Sequence, residues 1–166
     1  MLFRSDALHD PLTGLPNRRL LLDRLERALS RSRRAGARTA VFFIDLDDLK
    51  HVNDTHAWGH RAGDILLGGV AVALRGSLRD TDTLGRLGGD EFLAVCEDVD
   101  DDAVEELGHR LLEATSQPVQ LGGTSITPAV SIGVAVTDDV DETAAELLTR
   151  ADAAMYRRSE EHTSEL

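Results

Sequence analysis

The feature that most limits the possible folds is a pair of adjacent glycines between two strand-like segments. Residues 83–87 and 91–96 are largely apolar, and Gly88-Gly89-Asp90 stands between them. Glycine adopts positive φ angles without a steric penalty, so this spacing predicts a tight hairpin. Parallel strands need a crossover of a dozen or more residues, and a purely parallel doubly wound sheet is therefore excluded.

The other segments alternate between helical and strand-like spacing. Helices are predicted from Asn17 to Gly36, over about 63–78, from the aspartates 100–102, and from a capping box formed by Thr143 and Glu146. A buried strand is predicted at 39–46, and a second hairpin around Gly122-Gly123 joins 117–121 to 125–136. In the last strand Ala129, Ser131, Gly133 and Ala135 share one face, which predicts a close packing partner. The fold class is α/β (α+β), with a mixed, mainly antiparallel central sheet flanked by helices.

Length and charge exclude several classes of protein. A chain of 166 residues can bury a single core, and its longest nearly apolar run, 65–74, is too short to cross a bilayer. A net charge of -12 argues against a nucleic-acid polymer as partner. The single cysteine, Cys96, lies in an apolar run, so we expect a buried side chain and a reducing, cytoplasmic location.

Both ends of the chain look foreign to the domain. Residues 1–5 and 158–166 resemble in-frame translations of the adapter oligonucleotides that are ligated to DNA fragments for sequencing. The second segment also loses the apolar spacing of the helix before it, although a native frayed helix end is the alternative. We expect the natural domain to span 6–157 of a piece cut from a longer gene.

Two acidic clusters are candidates for metal binding. Asp45, Asp47 and Asp48 end a buried strand, and Asp90 and Glu91 lie at the tip of the glycine hairpin. If neighbouring strands bring them together, their repulsion favours a bound divalent cation. Oxygen ligands favour magnesium or manganese over zinc, and substrate phosphates usually accompany magnesium. Solvated acidic loops are the alternative.

Polar residues after the first strand are candidates for nucleotide binding. Lys50, the only lysine of the chain, is placed to meet a phosphate. Asn53 can exchange two hydrogen bonds with a purine edge, and Asp64 can accept from the N–H groups of guanine. A helix cap or Asx-turn for Asn53, and a helix-dipole partner for Asp64, are the alternatives. The motifs GxxxxGK[ST] and GxSxG are absent, which excludes a P-loop and a nucleophile elbow.

The pentad Gly88-Gly89-Asp90-Glu91-Phe92, preceded by Arg86, resembles the signature of the GGDEF family, the bacterial diguanylate cyclases. Other segments resemble further motifs of this family in the expected order, at 10–18, 45–50 with 53–54, 130–133 and 151–156. The resemblance covers nearly all of 6–157. It implies a palm-like fold similar to nucleotide cyclases, and the conversion of two GTP into cyclic di-GMP and two pyrophosphates.

The resemblance also assigns roles. Asp45, Asp90, Glu91 and the Leu46 carbonyl would bind Mg²⁺ or Mn²⁺, Asp90 or Glu91 would help to remove the 3′-hydroxyl proton, and Lys50 would steady the phosphates. The nucleotide would be held by Asn53, His60, Asp64, Gly88 and Gly89. Arg79 and Asp82 would form a product-inhibition site for cyclic di-GMP. Each domain would hold one GTP, so catalysis implies a homodimer.

Two departures from the family pattern leave the activity open. Thr55-His56-Ala57-Trp58 contains two residues more than the family usually has before Gly59-His60, and Trp58 either packs on the surface or stacks on the base. The late basic segment of the family is absent. A catalytically impaired module that binds GTP or cyclic di-GMP is therefore the alternative function, and a pure dimerisation element is a third.

Overall fold

The computed structural model describes residues 7–137 and 139–163, with side chains as far as Met155. The suspected adapter segment 1–5 lies outside these residues, as do the side chains of 158–163 and all of 164–166. The helices are α1 (Arg18–Ala35), α2 (Leu49–Thr55), α3 (His60–Ser77), α4 (Asp101–Thr115) and α5 (Ala144–Thr163). The strands are β1 (Thr39–Leu46), β2 (Thr83–Gly88), β3 (Glu91–Glu97), β4 (Val119–Leu121), β5 (Thr124–Ile126) and β6 (Val130–Val136).

Four of the strands form a central sheet in the order β2-β3-β1-β6. Each neighbouring pair in this sheet is antiparallel. The predicted α+β class with a mainly antiparallel sheet flanked by helices is confirmed. Strands β4 and β5 form a separate two-stranded hairpin.

The residues of β1 alternate between two apolar cores. Phe42 and Ile44 belong to the core that α3 and α4 cover, whereas Val41 and Phe43 belong to the core that α1 and α5 cover. Burial of each large apolar side chain contributes about 1.5–3 kcal/mol, which fixes the strand between the two helical layers. No helix in the described part of the chain is long and apolar enough to span a membrane.

The predicted helix ends are confirmed by their caps. The Asn17 side chain accepts a hydrogen bond from the Leu20 amide at 3.2 Å, and α1 ends at Gly36, whose φ is 64°. Thr143 and Glu146 form the predicted capping box, in which each side chain accepts from the other residue's amide.

The small face of β6 packs closely against α5, as predicted. A Cβ built on Gly133 would lie 2.7 Å from the Met155 amide nitrogen and would also collide with the Ala151 carbonyl oxygen. A larger residue at position 133 would therefore push the helix away from the sheet.

Two predictions of element bounds were wrong, and one helix was not predicted. The segment 125–136 is not one strand, because the chain leaves β5 at 127–129 and then pairs with β1 as β6. Pro128, which lacks an amide hydrogen, lies in this break. Helix α3 begins at His60 rather than near 63, and the short helix α2 was not predicted.

Candidate active site

The antiparallel pairing of β1 with β3 brings the two acidic clusters together. Asp45 lies directly opposite Glu91, so their side chains share one face of the sheet. The amide of Leu46 donates a hydrogen bond to the Asp90 carbonyl at 2.9 Å. The predicted meeting of the clusters is therefore present, at the end of the sheet where the glycine hairpin turns.

Asp45 is the most electrostatically perturbed carboxylate of this cluster. Burial, the Asp90 carboxylate within hydrogen-bonding reach, and the charges of Asp47 and Glu91 together raise its pKa to about 7, and burial is the largest cause. The Oδ1 atom of Asp45 is buried without a hydrogen-bond partner. A buried acceptor without a partner is costly, and a cation next to it would remove that cost.

The neighbouring carboxylates are held by different groups. Burial raises the pKa of Glu91, the charges of Asp90 and Asp152 add to the shift, and Arg18 opposes it. Burial also raises the pKa of Asp47, although the Ser131 hydroxyl donates to both of its carboxylate oxygens at 3.1 Å. Ser131 therefore fixes Asp47 against β6.

The residues present fit a magnesium ion. In the part of the chain with described side chains, no three His, Cys, Asp or Glu residues are grouped so as to enclose a metal by themselves. Magnesium needs no such cage, since one or two carboxylates together with water and substrate phosphates usually hold it. The Asp45 and Asp90 pair, with its unpartnered oxygen, matches that donor set.

The glycines of the hairpin leave open space beside the carboxylates. Gly88 and Gly89 have φ angles of 151° and 49°, which residues with a side chain rarely adopt. A Cβ at either position would meet nothing within 4 Å. The turn therefore presents exposed backbone, against which a ligand can lie closely.

Two residues without a predicted role hold this turn. Arg86 donates to the Gly89 carbonyl through Nε at 3.0 Å and Nη2 at 2.6 Å, and its Nη1 pairs with Asp10 at 3.1 Å. Burial alone would raise the pKa of Asp10, but hydrogen bonds from Thr13 and the pairing with Arg86 lower it overall. Both residues belong to motifs quoted for the family resemblance, and this was the only signal for them in the sequence.

The nucleotide candidates lie on the two helices that follow β1. Lys50 and Asn53 are three residues apart in α2 and so share a face, and Lys50 is exposed. His60 and Asp64 are both exposed and lie one turn apart on α3. Because Asp64 follows the first turn of α3, its interpretation as a helix-dipole partner loses support.

Asn53 is an interior residue of α2, so its interpretation as a helix cap is wrong. Its Oδ1 atom is buried without a hydrogen-bond partner. A Cβ on Gly63 would lie 2.9 Å from the Asn53 Cγ atom, so the amide is packed against α3 immediately before Asp64. The structure thus brings Asn53 to the helix that carries His60 and Asp64.

Arg79 and Asp82 lie at the far end of β2 from the glycine turn, about 20 Å away for a six-residue strand. Asp82 is 5% exposed and accepts from the Arg79 amide at 2.8 Å and from its guanidinium at 3.0 Å. Half of the Arg79 side chain is exposed. Arg79 is therefore the solvent-accessible residue of this ion pair, and the buried Asp82 holds its guanidinium in place.

The sequence matches the model of one family over almost its whole length. The family described as diguanylate cyclase, GGDEF domain, matches residues 7–165. The chain belongs to this family.

One characterised relative agrees with this assignment. The bifunctional diguanylate cyclase/cyclic di-GMP phosphodiesterase MucR of Pseudomonas aeruginosa is 44% identical over 155 residues, which are 93% of this chain and 22% of that protein. The chain thus spans about a fifth of this relative's length.

Two solved structures are also similar. A sensory box/GGDEF family protein from Caulobacter crescentus superimposes with a TM-score of 0.86 at 42% identity, over 93% of this chain and 99% of that chain. The coiled coil and GGDEF domain of DgcB from Caulobacter crescentus, in complex with c-di-GMP, has a TM-score of 0.86 at 28% identity, over 96% of this chain and 84% of that chain.

Proposed function

We propose that this domain is the catalytic domain of a diguanylate cyclase, which condenses two GTP into cyclic di-GMP and two pyrophosphates. The observation that carries the proposal is the paired carboxylates of Asp45 and Asp90, one with an unpartnered buried oxygen, beside the open turn at Gly88 and Gly89. A nucleoside triphosphate bound at that turn would bring its phosphates to the carboxylates.

The carboxylates of Asp45 and Asp90 and the Leu46 carbonyl would hold Mg²⁺ or Mn²⁺, with Glu91 beside them. When bound, such an ion lowers the pKa of a hydroxyl and neutralises charge that develops on phosphorus. The donor set, made only of oxygen atoms, favours these hard cations over zinc.

The residues of the chain supply proton transfer and orientation. Glu91 or Asp90 would accept the proton of the 3′-hydroxyl, and the raised pKa of Glu91 makes its carboxylate the stronger base. Lys50 would contact the phosphates. Asn53, His60 and Asp64 would hold the guanine nucleotide on α2 and α3.

Each domain would hold one GTP, so two copies must face each other. The 3′-oxygen of one nucleotide then forms a bond to the α-phosphorus of the other, and the bond to pyrophosphate breaks. The same reaction between the 3′-oxygen of the second nucleotide and the α-phosphorus of the first then closes the ring of cyclic di-GMP and releases the second pyrophosphate. The proposal therefore includes a homodimer as the active species.

Arg79 and Asp82 would bind cyclic di-GMP as a product-inhibition site. The half-exposed Arg79 guanidinium supports a contact with the ligand phosphates, and the buried Asp82 supports the orientation of that guanidinium. The DgcB structure, which contains c-di-GMP, supports this class of ligand for the family.

The direct test is mass spectrometry of cyclic di-GMP after incubation of the purified chain with GTP and Mg²⁺. Product is expected from the wild type and should be absent from Asp90→Ala. Asp102→Ala, an exposed residue of α4, is the matched control and should retain activity. A folded wild type that forms no product at high protein concentration contradicts the proposal.

A nucleotide receptor without turnover is the second candidate. The feature that favours it is the longer segment between Asn53 and His60, because small displacements of binding groups can reduce rates by orders of magnitude. Calorimetry that finds tight binding of GTP or cyclic di-GMP, together with no product, would select this candidate.

A further inference from the structure

Trp58, in the longer segment between α2 and α3, packs on the β4–β5 hairpin. A Cβ built on Gly122 would lie 2.8 Å from both Cη2 and Cζ2 of the indole. The Arg61 guanidinium carbon lies 5.8 Å from the ring centroid, and the His56 ring makes an edge contact at 5.6 Å. One side of the indole is therefore covered although Trp58 is 44% exposed.

The segment around Trp58 is an ordered turn. The amide of His56 donates to Val52 at 3.1 Å, that of Gly59 to His56 at 2.9 Å, and that of Arg61 to Trp58 at 3.1 Å. Main-chain hydrogen bonds thus continue from α2 into α3. The additional residues form a compact connection between the two helices.

The hairpin is itself attached to both sides of this turn. His56 Nε2 lies 3.4 Å from the Thr124 hydroxyl of β5. On α3, a Cβ at Gly69 would lie 2.8 Å from a Val119 methyl of β4, so the hairpin packs on this helix as well. The hairpin therefore bridges the turn and the helix that carries Asp64.

The same turn determines where the nucleotide candidates lie relative to each other. It comprises residues 56–59, which join the helix that carries Asn53 to the helix that begins at His60, and Gly59 has a φ of 54° at its end. Asn53 is packed against Gly63, and its buried Oδ1 atom has no hydrogen-bond partner to fix it. Its position therefore depends on how α2 is held against α3.

We propose that Trp58 is a positioning residue for the nucleotide site, which acts by clamping the α2–α3 turn onto Gly122 of the β4–β5 hairpin. The proposal rests on the proposed function, because it assumes that Asn53 and Asp64 bind GTP. It resolves the two interpretations of Trp58 in favour of packing on the protein surface, where the indole compensates for the longer turn.

The test compares variants that remove or displace the indole. Trp58→Ala removes it, Trp58→Phe keeps an aromatic ring, and Gly122→Ala pushes it away. Gly36→Ala is the matched control, since Gly36 also has a φ of 64° but a Cβ there meets nothing within 4 Å. Trp58 is the only tryptophan, so intrinsic fluorescence reports its environment independently of activity.

We expect Trp58→Ala and Gly122→Ala to raise the KM for GTP about tenfold while kcat changes much less, since binding groups are misplaced. Trp58→Phe should recover most of the affinity, and Gly36→Ala should match the wild type in KM. The fluorescence maximum of Gly122→Ala should shift to longer wavelength, and that of Gly36→Ala should not.

The proposal is overturned if the wild type forms product and both Trp58→Ala and Gly122→Ala keep the wild-type KM, or if only kcat falls. Should Trp58→Ala not fold, Gly122→Ala decides alone. A folded wild type that binds no GTP overturns the proposed function and this inference together. GTP binding by the wild type distinguishes that outcome from the one in which the wild type is active and only the inference about Trp58 fails.

Discussion

Asp10 and Arg86 lie 76 residues apart in the sequence, yet the Arg86 guanidinium reaches both Asp10 carboxylate oxygens, at 3.1 and 3.2 Å. Both side chains are at most 16% exposed. Arg86 also donates to the Gly89 carbonyl, so the segment before α1 is connected through one guanidinium to the acidic hairpin. The position of Asp90 therefore depends on a residue near the start of the domain.

We expect Arg86→Ala to lower the rate of cyclic di-GMP formation about 10–100-fold, because the turn that carries Asp90 loses its support. Asp10→Ala should have a smaller effect in the same direction, and the double variant should be no slower than Arg86→Ala. Initial rates at saturating GTP and Mg²⁺ measure this. Arg31→Ala, which breaks an exposed ion pair with Glu97, is the control. Equal rates for Arg86→Ala and Arg31→Ala would contradict the prediction.

The stability of the metal-free protein should fall as pH rises from about 4 to 7. The pKa of Asp45 is about 7 in the folded protein against 3.8 for an unperturbed aspartate, so the folded state binds more protons in this window and deprotonation favours unfolding. The stabilising contribution of protonated Asp45 is complete below pH 3.8, the pKa of an unperturbed aspartate, and is lost as the pH rises through about 7, its pKa in the folded protein. Thermal melts in a chelator should give a shallower pH dependence for Asp45→Asn, and identical slopes would disprove the assignment.

Mg²⁺ should raise the melting temperature at pH 8, where Asp45 is ionised. A ligand that binds only the folded state raises the free energy of unfolding, and above Kd this gain grows with the logarithm of the ratio of ligand concentration to Kd. Removal of either carboxylate, in Asp45→Asn or Asp90→Asn, should abolish most of the shift. If both variants respond to Mg²⁺ as the wild type does, the ion binds elsewhere.

Gly133→Ala should destabilise the domain by about 3 kcal/mol, the upper part of the range for overpacking, because the new methyl meets the backbone of α5 rather than a movable side chain. Gly68→Ala, inside α3 with nothing within 4 Å of the added Cβ, is the control and should stabilise by about 1 kcal/mol. Urea denaturation measures both. A neutral Gly133→Ala would show that α5 can move away from β6 without loss.

Arg79→Ala should destabilise the domain by about 2 kcal/mol, because it leaves the buried Asp82 carboxylate with fewer donors. It should also weaken cyclic di-GMP binding in calorimetry. Arg79→Ala combined with Asp82→Asn should recover much of the stability but none of the binding. Recovery of binding in the double variant would argue against Arg79 as the ligand contact.

Local features predicted much of the fold. Asn17, Gly36 and the Thr143–Glu146 capping box specified helix ends through hydrogen bonds that close within a few residues. The glycine pair predicted the hairpin through its permitted φ angles alone. The short helix α2 was missed because a seven-residue helix is too short for a clear periodic pattern and is stabilised by the elements around it.

The family, the alternation of helices and strands, and the candidate carboxylates could all be predicted from the order of residues, because they depend on residue type and short spacing. Three contacts became visible only in the folded chain: Asp45 lies opposite Glu91, Arg86 reaches Asp10, and Trp58 packs on Gly122. Those contacts join segments distant in the chain. They depend on strand register and on the packing of helices over the sheet, which no local pattern encodes.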